Sequence, residues 1–251
     1  MKMNPWDYPV PKRLYKYLPP DRIDVLTSCH IRFSQRQVFE DCEEFKVPVI
    51  SLGTEEEVEN YFTQHGLFAG DSNGFEGFIE GIKNIPGAKA KVLEKTVGSL
   101  RSPDLIVALC LTEDPESREM WKKYSINGQG FVIGFDTRHP GFRLLWNPGR
   151  LGRVEYSDDP IESFVSEYGR KVLFRKRTEY TYEAEWRSIR AMARFKRIIQ
   201  RDGEMPIYLS PFDPLSVSEI LIKRNCEIEW ELRHFVAIDS RYSHVKVCQI
   251  D

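Results

Sequence analysis

The chain has 251 residues, 41% hydrophobic and 29% charged, with a net charge of −2. That length fits one large domain or two small ones, and about three quarters of the unfolded surface can be buried, so a core forms without disulfide staples. No run of about 18 apolar residues occurs, so no membrane-spanning helix is expected, and the polar, proline-rich start from Met1 to Pro20 resembles neither a signal peptide nor a transit helix.

Taken in order, Leu14 to Tyr17 reads as a short aromatic strand bounded by Pro11 and the Pro19-Pro20 pair. Asp21 is placed to cap a short helix carrying Ile23 and Leu26, and Ile31 to Ser34 alternates as a second strand. Residues 35 to 49 look irregular and acidic. Thr54-x-x-Glu57 is a capping box that opens a helix with Val58, Tyr61 and Phe62 on its apolar face and Gly66 at its end. A further helix is expected over Ala88 to Leu100, with Val92, Leu93 and Val97 inward. Leu105 to Leu111 is the most apolar run and has the length of a central strand. Asp114-Pro115 has the cap-then-proline order of a helix start, with Met120, Trp121 and Tyr124 facing inward.

Strands are expected at Phe131 to Asp136, Arg153 to Tyr156, Pro206 to Ser210, Val217 to Ile222 and His244 to Ile250. Ile161, Phe164, Val165, Tyr168, Val172 and Leu173 recur at helical spacing, and Asn225 is placed to cap a helix running to Val236. Residues 179 to 201 fit either strand or helix. No repeat, linker or domain boundary is visible, so residues 1–251 read as one domain of the α+β class, with mixed, mostly antiparallel sheets and flanking helices.

The five cysteines and five histidines are scattered, with no Cys-x-x-Cys or His-x-x-x-His. Neither a disulfide framework nor a zinc site is expected, and a reducing cytoplasm is the natural compartment. Charge is unevenly distributed. Eight acids against Lys46 lie between Glu40 and Glu59, whereas Arg170 to Arg201 holds eleven bases against Glu179, Glu183 and Glu185. The basic block 170–201 is either a solvated face balanced by the acidic segment or a surface for a nucleotide or nucleic acid.

Gly128-x-Gly130 is preceded by a helix and followed by a strand, the reverse of a dinucleotide-binding loop, so a helix cap and tight turn are expected there. Tyr182-Glu183-Ala184-Glu185-Trp186-Arg187 carries more chemistry. As a strand it places Tyr182, Ala184 and Trp186 on one face and Glu183, Glu185 and Arg187 on the other, about 6.5 Å apart along it. Two carboxylates and a guanidinium that tune one another's protonation suit acid/base work. As a helix, the same residues give only a Glu183–Arg187 surface pair at i, i+4.

Several blocks occur together in order. They are Leu14-Tyr15-Lys16-Tyr17, Ile31-Arg32-Phe33-Ser34 with Phe39-Glu40-Asp41, Met120-Trp121-x-x-Tyr124, Gly130 to Asp136, Val154 to Ser157, Tyr182 to Arg187, and Val217 to Ile222. In these the chain resembles the bacterial domain-of-unknown-function family 2971 over nearly its whole length. The Leu-Tyr strand, the Phe-Ser strand and the late Glu-x-Glu are also similar to the layout of ADP-ribosyltransferases. That resemblance implies NAD as cofactor, held in a cleft between two small sheets. A first-strand cation, here Arg13 or Lys16, would bind the cofactor, and Glu183 or Glu185 would stabilise the ribosyl cation. Trp121 or Tyr124 would stack on nicotinamide, with Tyr15, Ser34 and Arg187 completing the cofactor set. A role in bacterial stress or phage defence follows from the same likeness. Two other readings remain open: a non-enzymatic module binding a nucleotide or nucleic acid through the basic block, and a nuclease or other hydrolase using Glu183 and Glu185, with or without Mg²⁺.

Overall fold

The computed structural model describes residues 5–38, 48–64, 72–100, 105–165 and 170–251. Phe39-Glu40-Asp41, Gly66 and Tyr168, singled out above, lie outside them. In chain order the elements are β1 (Arg13–Leu18), α1 (Asp24–Ser28), β2 (His30–Phe33), β3 (Val49–Ser51), α2 (Glu55–Gln64), α3 (Ser72–Asn84) and α4 (Ala88–Leu100). Then come β4 (Ile106–Thr112), α5 (Arg118–Tyr124), β5 (Phe131–Asp136), β6 (Arg150–Arg153), β7 (Glu155–Tyr156), β8 (Ile161–Ser163), β9 (Arg175–Lys176) and β10 (Glu185–Ala191). The chain closes with β11 (Arg197–Ile199), β12 (Ile207–Pro211), β13 (Val217–Lys223), α6 (Glu229–Ile238) and β14 (Lys246–Ile250). The class is α+β, with mixed, mostly antiparallel sheets and flanking helices.

Seven strands form the main sheet in the order β14-β13-β5-β1-β4-β10-β6. Every pairing in it is antiparallel except β13 with β14. Its central strands are apolar on both faces, as strands covered from both sides must be. On one face Leu14, Leu109, Phe131, Ile133, Phe135, Trp186 and Ile220 pack under α6 and the three-stranded sheet β11-β12-β2. On the other, Tyr15, Tyr17, Val132 and Leu221 pack under Met120 and Trp121 of α5. A satellite core joins Val58, Ile79, Ile82 and Val97 of α2, α3 and α4 to Ile161, Phe164, Val165 and Val172. Among the described residues no helix is long and apolar enough to cross a membrane.

Local signals held where the cap chemistry was complete. At the predicted capping box, the Thr54 N–H donates to Glu57 Oε2 at 2.8 Å and the Glu57 N–H to Thr54 Oγ1 at 3.2 Å. Gly128 takes a left-handed φ of +85°, and a Cβ on Gly130 would stand 2.0 Å from the Leu18 carbonyl oxygen. The two glycines therefore make a turn, as expected, and not a phosphate loop.

Four expectations need correction. The helix expected from Asp114 begins at Arg118, because Asp114 Oδ1 turns back on the Glu116 N–H while Ser117 Oγ accepts from Met120 N–H and caps α5. The Asp21 helix is first a 3₁₀ turn, Pro20–Arg22, with no side-chain cap, and α1 follows. Asn225 adopts a left-handed φ of 63° in the turn after β13, so α6 starts at Glu229 instead. The apolar series from Ile161 is no helix: Ile161–Ser163 pairs in parallel with β3, and Arg170–Phe174 is 3₁₀. Ile161, Phe164, Val165 and Val172 still turn into the satellite core, whereas Leu173 packs with Ala108, Phe174 and Ile189, so the apolar series marked buried side chains and its period was not diagnostic.

Candidate functional site

The site lies where two strands part. β1 and β4 share one registered pair, Tyr15 opposite Thr112, and the β4 edge is taken further along by Ser34, which bridges Ala108 through bonds of 2.8 and 2.9 Å. Between those points the Cys110 carbonyl accepts the Lys16 ammonium at 3.0 Å. A side chain thus satisfies a carbonyl that a strand neighbour would otherwise have bonded. The fork opens into a cavity of about 220 Å³. Lys16, Arg32 and Ser34, the rings of Tyr15, Tyr17, Tyr124 and Tyr180, and the charged Lys123, Lys176, Glu183 and Glu185 are among the residues that line it.

The strand reading of the Glu-x-Glu-Trp-Arg segment holds from Glu185 onward. Thr178–Glu183 is a 3₁₀ turn, Ala184 takes a left-handed φ of 40°, and β10 begins at Glu185. On β10, Glu185 and Arg187 share a face opposite Thr112 and Cys110, and Trp186 points to the other side. The left-handed residue breaks the alternation before that. Tyr182 therefore packs with Tyr17 and Trp121, not beside Trp186, and Glu183 folds back to the same cavity as Glu185.

Both carboxylates are almost fully buried, yet their surroundings differ. Arg187 Nε donates to Glu185 Oε1 at 2.7 Å, and its NH2 nitrogen donates to Oε2 at 3.1 Å. Burial works to raise the Glu185 pKa, but Arg187, then Lys176, outweigh it and hold the carboxyl at about 2. Tyr124 Oη donates to Glu183 Oε1 at 2.9 Å, and Lys176 Nζ donates to its Oε2 at 2.7 Å. Burial first, and the neighbouring Glu185 charge second, push the Glu183 carboxyl above its ordinary range. Lys176 Nζ also lies 3.5 Å from Glu185 Oε2, so one ammonium serves both acids. Such a pair, one acid fixed as an anion and one inclined to hold a proton, can stabilise positive charge and move a proton within one site.

Of the residues expected here, Tyr15, Lys16, Ser34, Tyr124, Glu183 and Glu185 line the cavity together. Arg187 and Trp121 do not. Arg187 is wholly buried behind Glu185, with its NH1 nitrogen on the Leu173 carbonyl at 2.7 Å, so it holds the carboxylate and has no face for a cofactor. Trp121 is buried edge-on to Tyr17 with its ring N–H on the Pro115 carbonyl, which makes it a packing residue. Arg13 lies outside the cavity lining and pairs at 3.4 Å with Glu219. Sequence reading missed Lys176, Tyr180, Arg32 and Cys110. Lys176 was visible only as one charge among eleven, and nothing local marks it as the cation shared by two acids.

Part of the basic block is spent inside the fold and part stays at the surface. Arg175 is buried against Glu155, Arg177 bonds Glu179, and Lys176 and Arg187 serve the two glutamates. Arg190 is buried beneath Phe33 with its NH1 nitrogen on Ser210, and burial lowers its pKa to about 10. Arg194, Lys196, Arg197 and Arg201 remain exposed. In the acidic segment, Glu55 and Glu59 pair with Lys89 and Lys83, not with the basic block. Among the described residues, no three His, Cys, Asp or Glu side chains gather as a metal site. Compared with known protein families, curated proteins and solved structures, the chain matches none of them.

Proposed function

We propose that the chain is an ADP-ribosyltransferase-like enzyme that uses NAD at the fork between β1 and β4. The observation that carries this reading is the convergence of a β1 cation (Lys16), the serine that follows β2 (Ser34), tyrosine walls and the Glu183-x-Glu185 pair on one cavity. A cavity of about 220 Å³ is smaller than the roughly 300–1,000 Å³ that encloses a drug-sized ligand. It suits one ring-and-ribose half of a dinucleotide, with the rest outside the fork. Lys16, Ser34 and the ring of Tyr124 are the groups that would hold it.

Bound NAD supplies an activated N-glycosidic bond, whose electron pair leaves with nicotinamide while positive charge develops on the ribose. Glu185, fixed as an anion by Arg187, is a preorganised counter-charge of the kind that stabilises such a centre in a site shielded from water. Glu183, whose pKa lies above the ordinary carboxylate range, accepts the proton that an incoming hydroxyl or amine must lose. Lys176 keeps the two carboxylates from repelling one another apart.

Calorimetry with NAD and a nicotinamide-release assay test this on the wild type, Glu185→Gln and Glu183→Gln. Binding and release in the wild type, lost by at least about a hundredfold in Glu185→Gln, are expected. No binding and no release by any of the three proteins overturns the proposal. A second reading, a module that binds nucleic acid, is favoured by the exposed Arg194, Lys196, Arg197 and Arg201. Oligonucleotide affinity that falls steeply with salt, without nicotinamide release, would select it.

A further inference from the structure

Arg32 and Lys16 both line the cavity, and Arg22 carries a third positive charge close enough to act on them. Arg32 lies in β2, two residues before the bridge at Ser34, and its Nε is buried without a hydrogen-bond partner. Among the described residues neither Arg32 nor Lys16 has a carboxylate within ion-pair distance. Lys16 spends one N–H on the Cys110 carbonyl. The third, Arg22, is tied to Asp24 at 2.9 Å. Burial, and then the charge of Arg22, lowers the pKa of Arg32; burial is also the first cause of a lowered pKa at Lys16, with Arg22 contributing. The charges of Glu185 and Glu183 offset this in part at Lys16, but their oxygens are already bonded by Arg187, Lys176 and Tyr124, and neither acid acts on Arg32. A buried guanidinium nitrogen without an acceptor, beside a desolvated ammonium and a serine hydroxyl, is the donor set that phosphate oxygens satisfy.

We infer that Arg32, with Lys16, forms an anion subsite that takes a phosphate or pyrophosphate group of the ligand. The subsite gives the cavity two chemically distinct parts, cations for the phosphate and carboxylates for the sugar carbon. It deepens the NAD reading, on which the choice of a pyrophosphate rests, and moves the anchoring cation from the first strand to the second. The geometry also sets a preference: a nucleoside without phosphate leaves the Arg32 Nε unsatisfied, so binding should follow phosphate content more closely than base identity.

The test is calorimetry with inorganic pyrophosphate, AMP and adenosine on the wild type, Arg32→Gln, Arg32→Lys and a control, Arg138→Gln. Arg138 pairs with Asp136 and is absent from the cavity lining. Expected are binding of pyrophosphate and AMP but not adenosine by the wild type and the control, and affinity weaker by about ten- to a hundredfold in Arg32→Gln. Arg32→Lys, which keeps the charge and loses the fork, should fall between them. The Arg32 ¹⁵Nε resonance of the wild-type protein, identified by its absence from Arg32→Lys, should move on pyrophosphate addition; this readout stands even if Arg32→Gln fails to fold. Unchanged pyrophosphate affinity in a folded Arg32→Gln, or an Nε resonance indifferent to pyrophosphate, overturns the subsite. Nicotinamide release that persists alongside either result leaves the transferase reading standing. Arg32-dependent pyrophosphate binding without NAD binding or nicotinamide release overturns the transferase reading and leaves the subsite.

Discussion

Glu185 and Arg187 are two residues apart on β10, lie side by side on one face of the sheet, and bond through two contacts of 2.7 and 3.1 Å with both side chains almost wholly out of water. The pair fixes the charge state of the site from beneath it. Replacing Arg187 with methionine leaves Glu185 a buried anion with Lys176 at 3.5 Å and the Cys110 side chain as its remaining partners, and removes the Arg187 donor from the Leu173 carbonyl. Breaking a buried pair from one side costs about 3–5 kcal/mol. Urea unfolding should show a loss of that order for Arg187→Met, partly recovered in the double variant Arg187→Met/Glu185→Met. A loss below about 1 kcal/mol would mean that the carboxylate relaxes into water and that the pair does not organise the site.

The two glutamates should leave opposite marks on stability as pH changes. The Glu185 pKa is depressed in the folded state to about 2, so its contribution is complete above the ordinary value of 4.5 and is lost as pH falls toward the folded value. Glu183 is raised, so the unfolded chain releases that proton first, and this group costs stability progressively as pH climbs from 4.5 toward its folded value. The stability of Glu183→Gln relative to wild type should therefore increase with pH above 4.5. The penalty of Glu185→Gln should shrink as pH falls below 4.5. Urea midpoints measured across the acid and neutral range check both slopes, and a Glu183→Gln difference that decreases with pH contradicts the assignment.

How far the sequence told this in advance depends on range. β1, β4, β5 and β13 were legible because each is a short apolar run bounded by turn residues, and the Thr54 capping box was legible because its partners are three residues apart. The shared face of Glu185 and Arg187 followed from strand alternation. The break at Ala184 did not, because a left-handed alanine has no sequence signature. Trp121 could be read as an inward packing residue or, by the resemblance, as a ligand wall, and tertiary packing decides for the first by placing it edge-on to Tyr17. Lys176 and Arg32 were hidden because their meaning depends on which distant strands flank them. The fork itself is a failure of pairing between β1 and β4, and no residue encodes a missing ladder.

Gly130 offers a test of a motif that could be mistaken for a nucleotide loop. An alanine Cβ there would approach the Leu18 carbonyl oxygen to 2.0 Å and the Pro19 Cα to 3.0 Å, both backbone atoms that cannot rotate away. Gly130→Ala should lower stability by about 1–3 kcal/mol or more, measured by thermal or urea unfolding, because β1 must shift. Gly128→Ala places a side chain at φ +85°, which costs about 1–2 kcal/mol. Folded fractions of both variants should keep the nucleotide affinity of the wild type. A selective loss of nucleotide binding at full stability would restore the loop reading.

Trp121 and Tyr124 stand one helical turn apart on α5 and separate packing from chemistry. Trp121 donates its ring N–H to the Pro115 carbonyl at 2.9 Å and does not line the cavity, whereas Tyr124 lines it and donates to Glu183 Oε1. Trp121→Phe removes one hydrogen bond and some packing, so stability should fall by about 1–3 kcal/mol while NAD affinity stays within about threefold of wild type. Tyr124→Phe removes a donor that favours the charged form of Glu183, so the carboxyl should titrate still higher. Nicotinamide release limited by Glu183 as a base would then need a higher pH, and the acid limb of its pH profile should move to the alkaline side in Tyr124→Phe but not in Trp121→Phe. Side-chain carboxyl NMR of Glu183 gives the same shift without turnover. Equal losses of NAD affinity in the two variants, with no movement of the acid limb, would return Trp121 to the ligand wall and remove Tyr124 from the control of Glu183.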